Sequence, residues 1–309
     1  MNTEKERLAI LYLREFEPKD DDKGYYLCYS GGKDSDAIRI LAQLAGVKHE
    51  CKHSLTTVDA PESVRYVQRT IGRENIEIPP LSMWGLIVKK GMPPTRLVRY
   101  CCAELKERGG MGRLKITGVR AAESVSRAKN SGAIKIIGKP KTTQKAAEES
   151  GAIYRVSDQG GLVLNFDDAA GRHLVERCYR TTATMINPII DWTDQDVWEF
   201  LQHYGCEGNP LYKCGFKRVG CIGCPMARPR YRKKEFAMFP EYRRLYVKAF
   251  DRMLESNEKL NRKYRVTWET GEDVMRWWLE DDPSQLTIED FEEMALDAGE
   301  SLDYWRDRY

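Results

Sequence analysis

Ser30-Gly31-Gly32-Lys33-Asp34-Ser35 stands between an apolar run, Tyr25-Tyr26-Leu27-Cys28-Tyr29, and a helix-compatible run from Asp36 to Ala45. Two adjacent glycines let the backbone turn tightly and bring successive N–H groups close to one anion. The positive N-terminal end of the following helix would face the same anion. Lys33 adds a mobile cation, and Ser30 and Ser35 add hydroxyl donors. Together these residue types make a phosphate cradle. It is not the G-x-x-x-x-G-K-[ST] loop, because Asp34 follows Lys33 and no glycine sits five residues before Gly32.

Thiols form the second group. Cys221-Ile222-Gly223-Cys224-Pro225 is a C-x-x-C knuckle, and Cys214 lies seven residues upstream. Arg99-Tyr100-Cys101-Cys102-Ala103-Glu104-Leu105-Lys106 supplies an adjacent pair from a distant segment. Such a set can close a four-coordinate site, and thiolate selects zinc or an iron–sulfur cluster. Arg99, Lys106, Lys213, Lys217 and Arg218 favour the thiolate form. Spacing leaves both metals open, with redox-active or unligated thiols as a further alternative. Cys28, Cys51 and Cys178 have apolar or strand-like neighbours and read as core, while Cys206 follows a helix end and has no assignment.

Two more segments leave strands as the glycine loop does: Thr57-Val58-Asp59-Ala60-Pro61-Glu62 and Gly118-Val119-Arg120-Ala121-Ala122-Glu123-Ser124. In parallel α/β sheets, ligands sit at the carboxyl ends of strands, so three polar strand ends predict one pocket. Arg120 and Arg127 can neutralise phosphate charge, and Asp34, Asp59 or Glu123 can hold Mg²⁺. Glu62 reads equally as a helix N-terminal charge.

The elements that must position these groups alternate as in an α/β sheet. The pattern predicts an N-terminal helix over 4–15, strands over 25–29, 54–58, 75–78 and 114–119, and helices over 36–45 and 61–71. From 134 to 176, alternation at Ile134, Ile136, Tyr154, Val156, Leu162 and Leu164 is broken by glycines and charges. That stretch reads as short strands and loops covering the nucleotide site. Order resumes at Met185–Pro188, followed by a helix from Thr193 to Tyr204 whose Thr193 and Asp196 have capping-box spacing. Helices are then expected over 236–264, 272–279 and 288–298. The domain reading is 1–18 N-terminal helix, 19–205 nucleotide-binding domain, 206–230 cysteine knuckle and 231–309 helical region.

Bulk properties narrow the function classes. The 309 residues are 41% hydrophobic and 31% charged, with room for one large or two modest domains. A net charge of +3 gives no global pull toward nucleic acid. The run Arg228-Pro229-Arg230-Tyr231-Arg232-Lys233-Lys234 is locally basic, a solvated helix face or a phosphate contact. The charged opening Met1–Arg7 argues against a secretory signal, and no apolar run approaches a membrane span, so a cytoplasmic protein without membrane partners is expected. There, nine cysteines are not a disulfide framework.

Ser30–Ser35 resembles the PP-loop of the ATP pyrophosphatase superfamily, in which the loop grips the pyrophosphate end of ATP while the α-phosphate is attacked. Further motifs extend the likeness: Arg99-Tyr100-Cys101-Cys102-x-x-Leu105-Lys106, Gly118-Val119-Arg120-x-x-Glu123-Ser124 and Asn187-Pro188-Ile189-Ile190-Asp191-Trp192-Thr193-x-x-Asp196-Val197-Trp198. With Asn209-Pro210-Leu211-Tyr212-x-x-Gly215-Phe216-x-Arg218-x-Gly220-Cys221-x-x-Cys224-Pro225, about residues 20–230 are similar to the phosphoadenosine phosphosulfate reductase family. The resemblance implies an adenine nucleotide alpha hydrolase-like α/β fold with a parallel sheet and a [4Fe–4S] knuckle, to which the residue pattern adds a C-terminal helical region. True sulfonucleotide reductases carry a nucleophilic cysteine in a C-terminal E-C-G-x-H tail, whereas no cysteine follows Cys224 here. Cys214 instead precedes the knuckle, which is more similar to the ATP pyrophosphatase subunit of DNA phosphorothioation systems. That alignment implies ligands Cys101, Cys214, Cys221 and Cys224; the reductase alignment implies Cys101, Cys102, Cys221 and Cys224.

The expected protein is therefore an enzyme that binds Mg·ATP at Ser30, Gly31, Gly32, Lys33, Asp34 and Ser35 and adenylylates a substrate in sulfur transfer or nucleic-acid modification. Lys33, Asp34 and Arg120 would be catalytic, with Asp59, Gly118, Glu123 and Arg127 completing the nucleotide site. A nucleic acid and a cysteine desulfurase or other sulfur donor are the expected partners. Alternatives are sulfonucleotide reduction with a thiol from Cys102, Cys206 or a partner, and a non-catalytic nucleotide-binding sensor or assembly subunit. Trp268, Trp277, Trp278 and Trp305 in the aromatic C-terminal region hint at the last, although a helical core explains them equally.

Overall fold

Tyr25, Tyr26 and Leu27 are buried side by side, as a strand covered on both faces requires, and with Cys28 they form β1 (Tyr25–Cys28). In a computed structural model, residues 3–158, 160–164, 169–180, 182–261 and 268–279 are described. The remaining strands among them are β2 (His49–Ser54), β3 (Ile76–Glu77), β4 (Lys115–Ile116), β5 (Ile134–Ile137), β6 (Arg155–Val156), β7 (Leu162–Leu164) and β8 (Ala183–Ile186). Helices are α1 (Thr3–Glu15), α2 (Lys33–Ala45), α3 (Pro61–Ile71), α4 (Met83–Lys90), α5 (Tyr100–Leu105) and α6 (Val125–Asn130). They continue with α7 (Pro140–Ser150), α8 (Ala169–Cys178), α9 (Asp194–His203), α10 (Pro229–Met238), α11 (Pro240–Lys259) and α12 (Gly271–Leu279).

The described residues divide into two compact units whose segments alternate along the sequence: those within Met1–Ser54, Pro61–Glu77 and Gly109–Val219 form the first, and those within Leu55–Ala60, Ile78–Arg108 and Gly220–Tyr309 the second. In the first, the strands make one sheet in the order β3-β2-β1-β4-β8-β5-β7-β6. From β3 to β8 the pairs are parallel, with Tyr25 opposite His49, Leu27 opposite Ile116, and Ile116 opposite Ile186. β5 then pairs antiparallel with both β8 and β7, and β6 antiparallel with β7. The sheet is mostly parallel with an antiparallel edge, a common finish for α/β sheets. Ile38, Leu41, Ala42 and Ala45 of α2 pack into the same core as Leu13 of α1 and Val197, Phe200 and Leu201 of α9. Gly46, at φ +70°, ends α2 in the left-handed turn that glycine tolerates.

The second unit is helical. α11 packs on both α4 and α12, and Tyr246, Phe250, Met253 and Trp278 are buried there. The Trp278 indole donates to Pro94 O at 2.6 Å and the Tyr246 hydroxyl to Ile222 O at 3.0 Å.

Several expectations are corrected. The second strand is His49–Ser54, not 54–58, because Thr57 adopts φ +65° and breaks the extended run. Between 134 and 176 the alternating pairs do form β5, β6 and β7, but α7 and α8 lie among them. α7 was invisible because its only apolar residues are Ala146 and Ala147. The expected helix over 236–264 is two, α10 and α11, divided where Pro240 lacks an N–H to continue α10. The end of that expected helix, 262–264, the expected helix over 288–298 and Trp305 lie outside the described residues. Among the described residues, no helix is long and apolar enough to cross a membrane.

Candidate functional site

From β1 the chain builds β2 and β3 to one side and then returns to lay β4 and β8 on the other. The β1–β4 boundary is thus a switch in strand order, where the loops at the carboxyl ends part and leave a crevice. Because β1, β4 and β8 are parallel neighbours, the residues after each emerge side by side: Ser30–Ser35, Gly118–Arg120 and Asn187–Asp194.

Gly31 takes φ +73°, and a Cβ there would lie 2.7 Å from Val67 Cγ2, so the bend and the close approach both require glycine. Ser35 closes the loop on itself. Its hydroxyl accepts from Gly32 N at 3.1 Å and donates to Gly32 O at 2.7 Å, while Ser30 donates to it at 3.3 Å. Outside the loop, the Tyr212 hydroxyl accepts from Lys33 N at 2.9 Å, and Asn209 Nδ2 donates to Gly31 O at 3.0 Å. Asp36, wholly buried, accepts from the hydroxyls of Tyr29 at 2.6 Å and Tyr66 at 2.9 Å. Burial pushes the Asp36 carboxyl up, and the two tyrosines oppose that. The hydroxyl belt holds the loop against the first turn of α2.

Charge collects beside the loop. Lys33, 6% exposed, reaches Asp34 at 3.0 Å and Asp194 at 3.3 Å. Arg120, 2% exposed, donates from Nε to Asp34 Oδ1 at 2.7 Å, from Nη1 to Trp192 O at 3.2 Å, and from Nη2 to Asp194. Burial works against the Arg120 charge, but Asp34 and Asp194 outweigh it and hold the guanidinium ionised. Asp194 is held below the usual carboxylate range because Lys33 and Arg120 outweigh its partial burial. A Cβ at Gly118 would sit 3.1 Å from the Asp34 backbone, so β4 and the loop approach closely at that point.

The structure therefore unites Lys33, Asp34, Gly118 and Arg120 with Ser30–Ser35. Glu123, which ends the short 3-10 turn Ala121–Glu123, and Arg127 of α6 instead pair with each other at 2.8 Å. Asp59 belongs to the second unit, where its carboxylate accepts from Thr56 N at 2.7 Å and Thr56 Oγ1 at 2.8 Å. Asp194, Tyr212 and Asn209 were missed. Asp194 occupies an unspecified position of the Thr193-x-x-Asp196 cap, and Asn209 and Tyr212 stood in a quoted motif without a role. Two cavities of the first unit, about 260 Å³ beside Glu15–Asp20 and about 570 Å³ beside Arg39, Tyr204 and Cys206, are not lined by the loop.

Cys101, Cys102, Cys221 and Cys224 all belong to the second unit. The Cys101 thiol is pushed up, first by its hydrogen bond to Cys102, then by burial and by the charges of Cys102, Cys221 and Cys224. Cys102 is drawn down to about 6 by that hydrogen bond, with Lys106 and Arg99 assisting. Cys221 donates to Thr56 Oγ1 at 3.4 Å. As a donor set these thiols suit zinc or an iron–sulfur cluster, yet among the described residues no three His, Cys, Asp or Glu are arranged to hold a metal. Cys214 is exposed in the first unit. Burial pushes Cys28 and Cys51 up to about 11, as for unreactive core thiols.

A family model described as phosphoadenosine phosphosulfate reductase domain matches residues 24–227. An uncharacterized protein of Methanocaldococcus jannaschii is 22% identical over 262 residues, 81% of this chain and 52% of that protein. An adenosine 5'-phosphosulfate reductase of Allochromatium vinosum is 40% identical over 42 residues, 14% of this chain and 16% of that one. An uncharacterized 37.8 kDa protein of Escherichia phage 186 is 43% identical over 54 residues, 18% and 16%. The matched segments thus span about half or less of these relatives' lengths. Among solved structures, a phosphoadenylyl-sulfate reductase from Candida auris in a phosphate complex aligns with 72% of this chain and 95% of its own at TM-score 0.38 and 13% identity.

Proposed function

The chain belongs to the phosphoadenosine phosphosulfate reductase domain family, and from that premise we propose that it is a PP-loop ATP pyrophosphatase. It would cleave ATP between the α- and β-phosphates and transfer AMP to an acceptor in sulfur transfer or nucleic-acid modification such as DNA phosphorothioation. The observation that carries this reading is the Lys33–Asp34–Arg120–Asp194 network around a rigid glycine loop at the strand-order switch. Two cations at a helix N-terminus, each already held by carboxylates, are what a triphosphate would recruit.

In this reading the acceptor attacks the α-phosphorus, the bond to the bridging oxygen of the β-phosphate breaks, and pyrophosphate leaves with that electron pair. Lys33 and the loop amides stabilise charge on the departing pyrophosphate, and Arg120 stabilises the α-phosphate, so catalysis is electrostatic. Asp34 is the carboxylate of the loop network suited to Mg²⁺, which would add further neutralisation. By donor type, Cys101, Cys102, Cys221 and Cys224 would hold a [4Fe–4S] cluster or zinc, supplying a cross-link and a local charge in the second unit. A cysteine desulfurase or other donor would provide the sulfur, in the cytoplasm.

Lys33→Ala should lower pyrophosphate release by about 10²–10³-fold while the circular dichroism spectrum and melting temperature stay near wild type. Unchanged release from that variant would defeat the assignment. A second reading, sulfonucleotide reduction, is favoured by the short local matches to proteins named as adenosine and phosphoadenosine phosphosulfate reductases. Sulfite formed from adenylyl sulfate or its 3'-phosphorylated form, with no pyrophosphate formed from ATP, would select it.

A further inference from the structure

Helix α10 and the residue before it carry five cations within seven positions, Arg228, Arg230, Arg232, Lys233 and Lys234, and the structure sorts them. Arg232 turns inward, 5% exposed, with its guanidinium 5.0 Å from the centre of the Trp278 ring. Phe236, one turn on, is buried on the same side. Arg228, Arg230 and Lys233 are exposed, and none is in an ion pair among the described residues. The contrast with the next helix is direct: Arg243 pairs with Glu272 at 2.6 Å, and Arg244 pairs with Glu241. The one carboxylate on α10, Glu235, is engaged elsewhere, accepting from Gly223 N at 2.8 Å.

These cations also stand against the field of their own helix. No acidic residue occupies the first turn of α10, where the positive helix end favours anions. Exposed on the same turn is Tyr231, 37% accessible, with the Arg230 guanidinium 5.0 Å above its ring. Unpaired cations interleaved with an open aromatic ring suit a phosphodiester backbone, since charges meet phosphates while the ring meets a sugar or base. A lipid surface fits less well. An interfacial helix needs a broad apolar face turned outward, and here Phe236 is turned into the unit's own core.

We propose that the exposed face of α10, with Arg228, Arg230, Lys233 and Tyr231, is a docking surface for nucleic acid. The inference deepens the adenylylation reading by giving its acceptor a chemical class, and rests on that reading only there; the binding itself needs no ATP.

The test is fluorescence anisotropy of the 309-residue protein with a labelled 30-base-pair DNA duplex, an RNA hairpin, polyglutamate and anionic phosphatidylserine vesicles, over a range of salt. Nucleic-acid affinity should fall about 40-fold or more from 50 to 200 mM salt, the magnitude that three phosphate contacts imply. The triple variant Arg228→Gln/Arg230→Gln/Lys233→Gln should bind at least tenfold more weakly in 50 mM salt, with a salt slope smaller by roughly 2–3. The paired cations serve as the control, and Arg243→Gln/Arg244→Gln should bind within about twofold of wild type. Lys233→Glu alone should also weaken binding, which guards against misfolding of the triple variant. Lys33→Ala should bind nucleic acid normally, so failure of the ATP reading leaves this inference standing. Wild-type affinity in the triple variant would overturn it. So would polyglutamate or vesicle binding as tight as that of DNA and RNA.

Discussion

Two positive charges, Lys33 and Arg120, and two negative ones, Asp34 and Asp194, cancel beside the glycine loop. The two carboxylates are not equivalent. Asp34 sits within the first turn of α2, one-quarter exposed, whereas the Asp194 side chain is 70% exposed and reaches in from the start of α9. In the proposed ATP reading, Asp194 would act as a placeholder that orients both cations until phosphate oxygens replace it. Asp194→Asn should tighten ATP binding about two- to fivefold, because one competing charge is gone, and lower the nucleotide-free melting temperature by about 2–4 °C as Arg120 loses a partner. Calorimetric titration and thermal melts with and without ATP check both. Weaker ATP binding would show that Asp194 contacts the nucleotide or its metal and is no placeholder.

At the scale of elements, the site depends on where α9 begins. Thr193 and Asp196 form a reciprocal cap: Asp196 Oδ2 accepts from Thr193 N and Oγ1, each at 2.7 Å, and Asp196 N donates to Thr193 Oγ1 at 3.1 Å. Lys5 of α1 adds a bond to Asp196 at 2.7 Å and another to Asp191 O at 3.0 Å. Burial alone would push Asp196 up, but Lys5 and Thr193 outweigh it and draw the carboxyl from 3.8 down to about 2. A depressed folded-state value means that this contribution is complete above the unfolded value and is lost as pH falls toward 2. Asp196→Asn should cost about 1 kcal/mol near neutral pH and flatten the stability profile between pH 4 and pH 2, read from urea midpoints. An undiminished slope in that window would assign the acid sensitivity to other groups. The cap was legible because it needs only local spacing, and β1 and the glycine turn were legible for the same reason. The position of β2 was lost to the left-handed Thr57, α7 to a surface with too few apolar residues to show a period, and Asp194 to its role as a partner from another strand end. Local chemistry can be read along the chain; pairing between strand ends 74 and 86 residues apart, as for Arg120 with Asp194 and with Asp34, depends on sheet order.

For the whole molecule, the candidate groups divide along the two units. The glycine loop and its charge network lie in the first unit, which has its own sheet and core from Leu27 to Phe200. The thiols Cys101, Cys102, Cys221 and Cys224, α10 and the Tyr246–Trp278 ring cluster lie in the second. A thiolate-bound metal would therefore cross-link 99–106 to 221–224 within one unit and contribute folding energy there, because such sites do not pre-exist in the unfolded chain. Since multi-unit chains need not unfold in one step, metal removal should not act on both units alike. Protein purified without oxygen and assayed for iron, sulfide and zinc should be compared with chelator-treated protein by hydrogen exchange. Exchange should rise at least tenfold in peptides covering α5, α10 and α11 and change less than twofold in β1, β4 and β8. Equal acceleration in the sheet would mean that the two units fold as one. Exchange unchanged in the helical peptides after proven metal loss would mean that the metal has no structural part in the second unit, and the four-thiol assignment would fall with it.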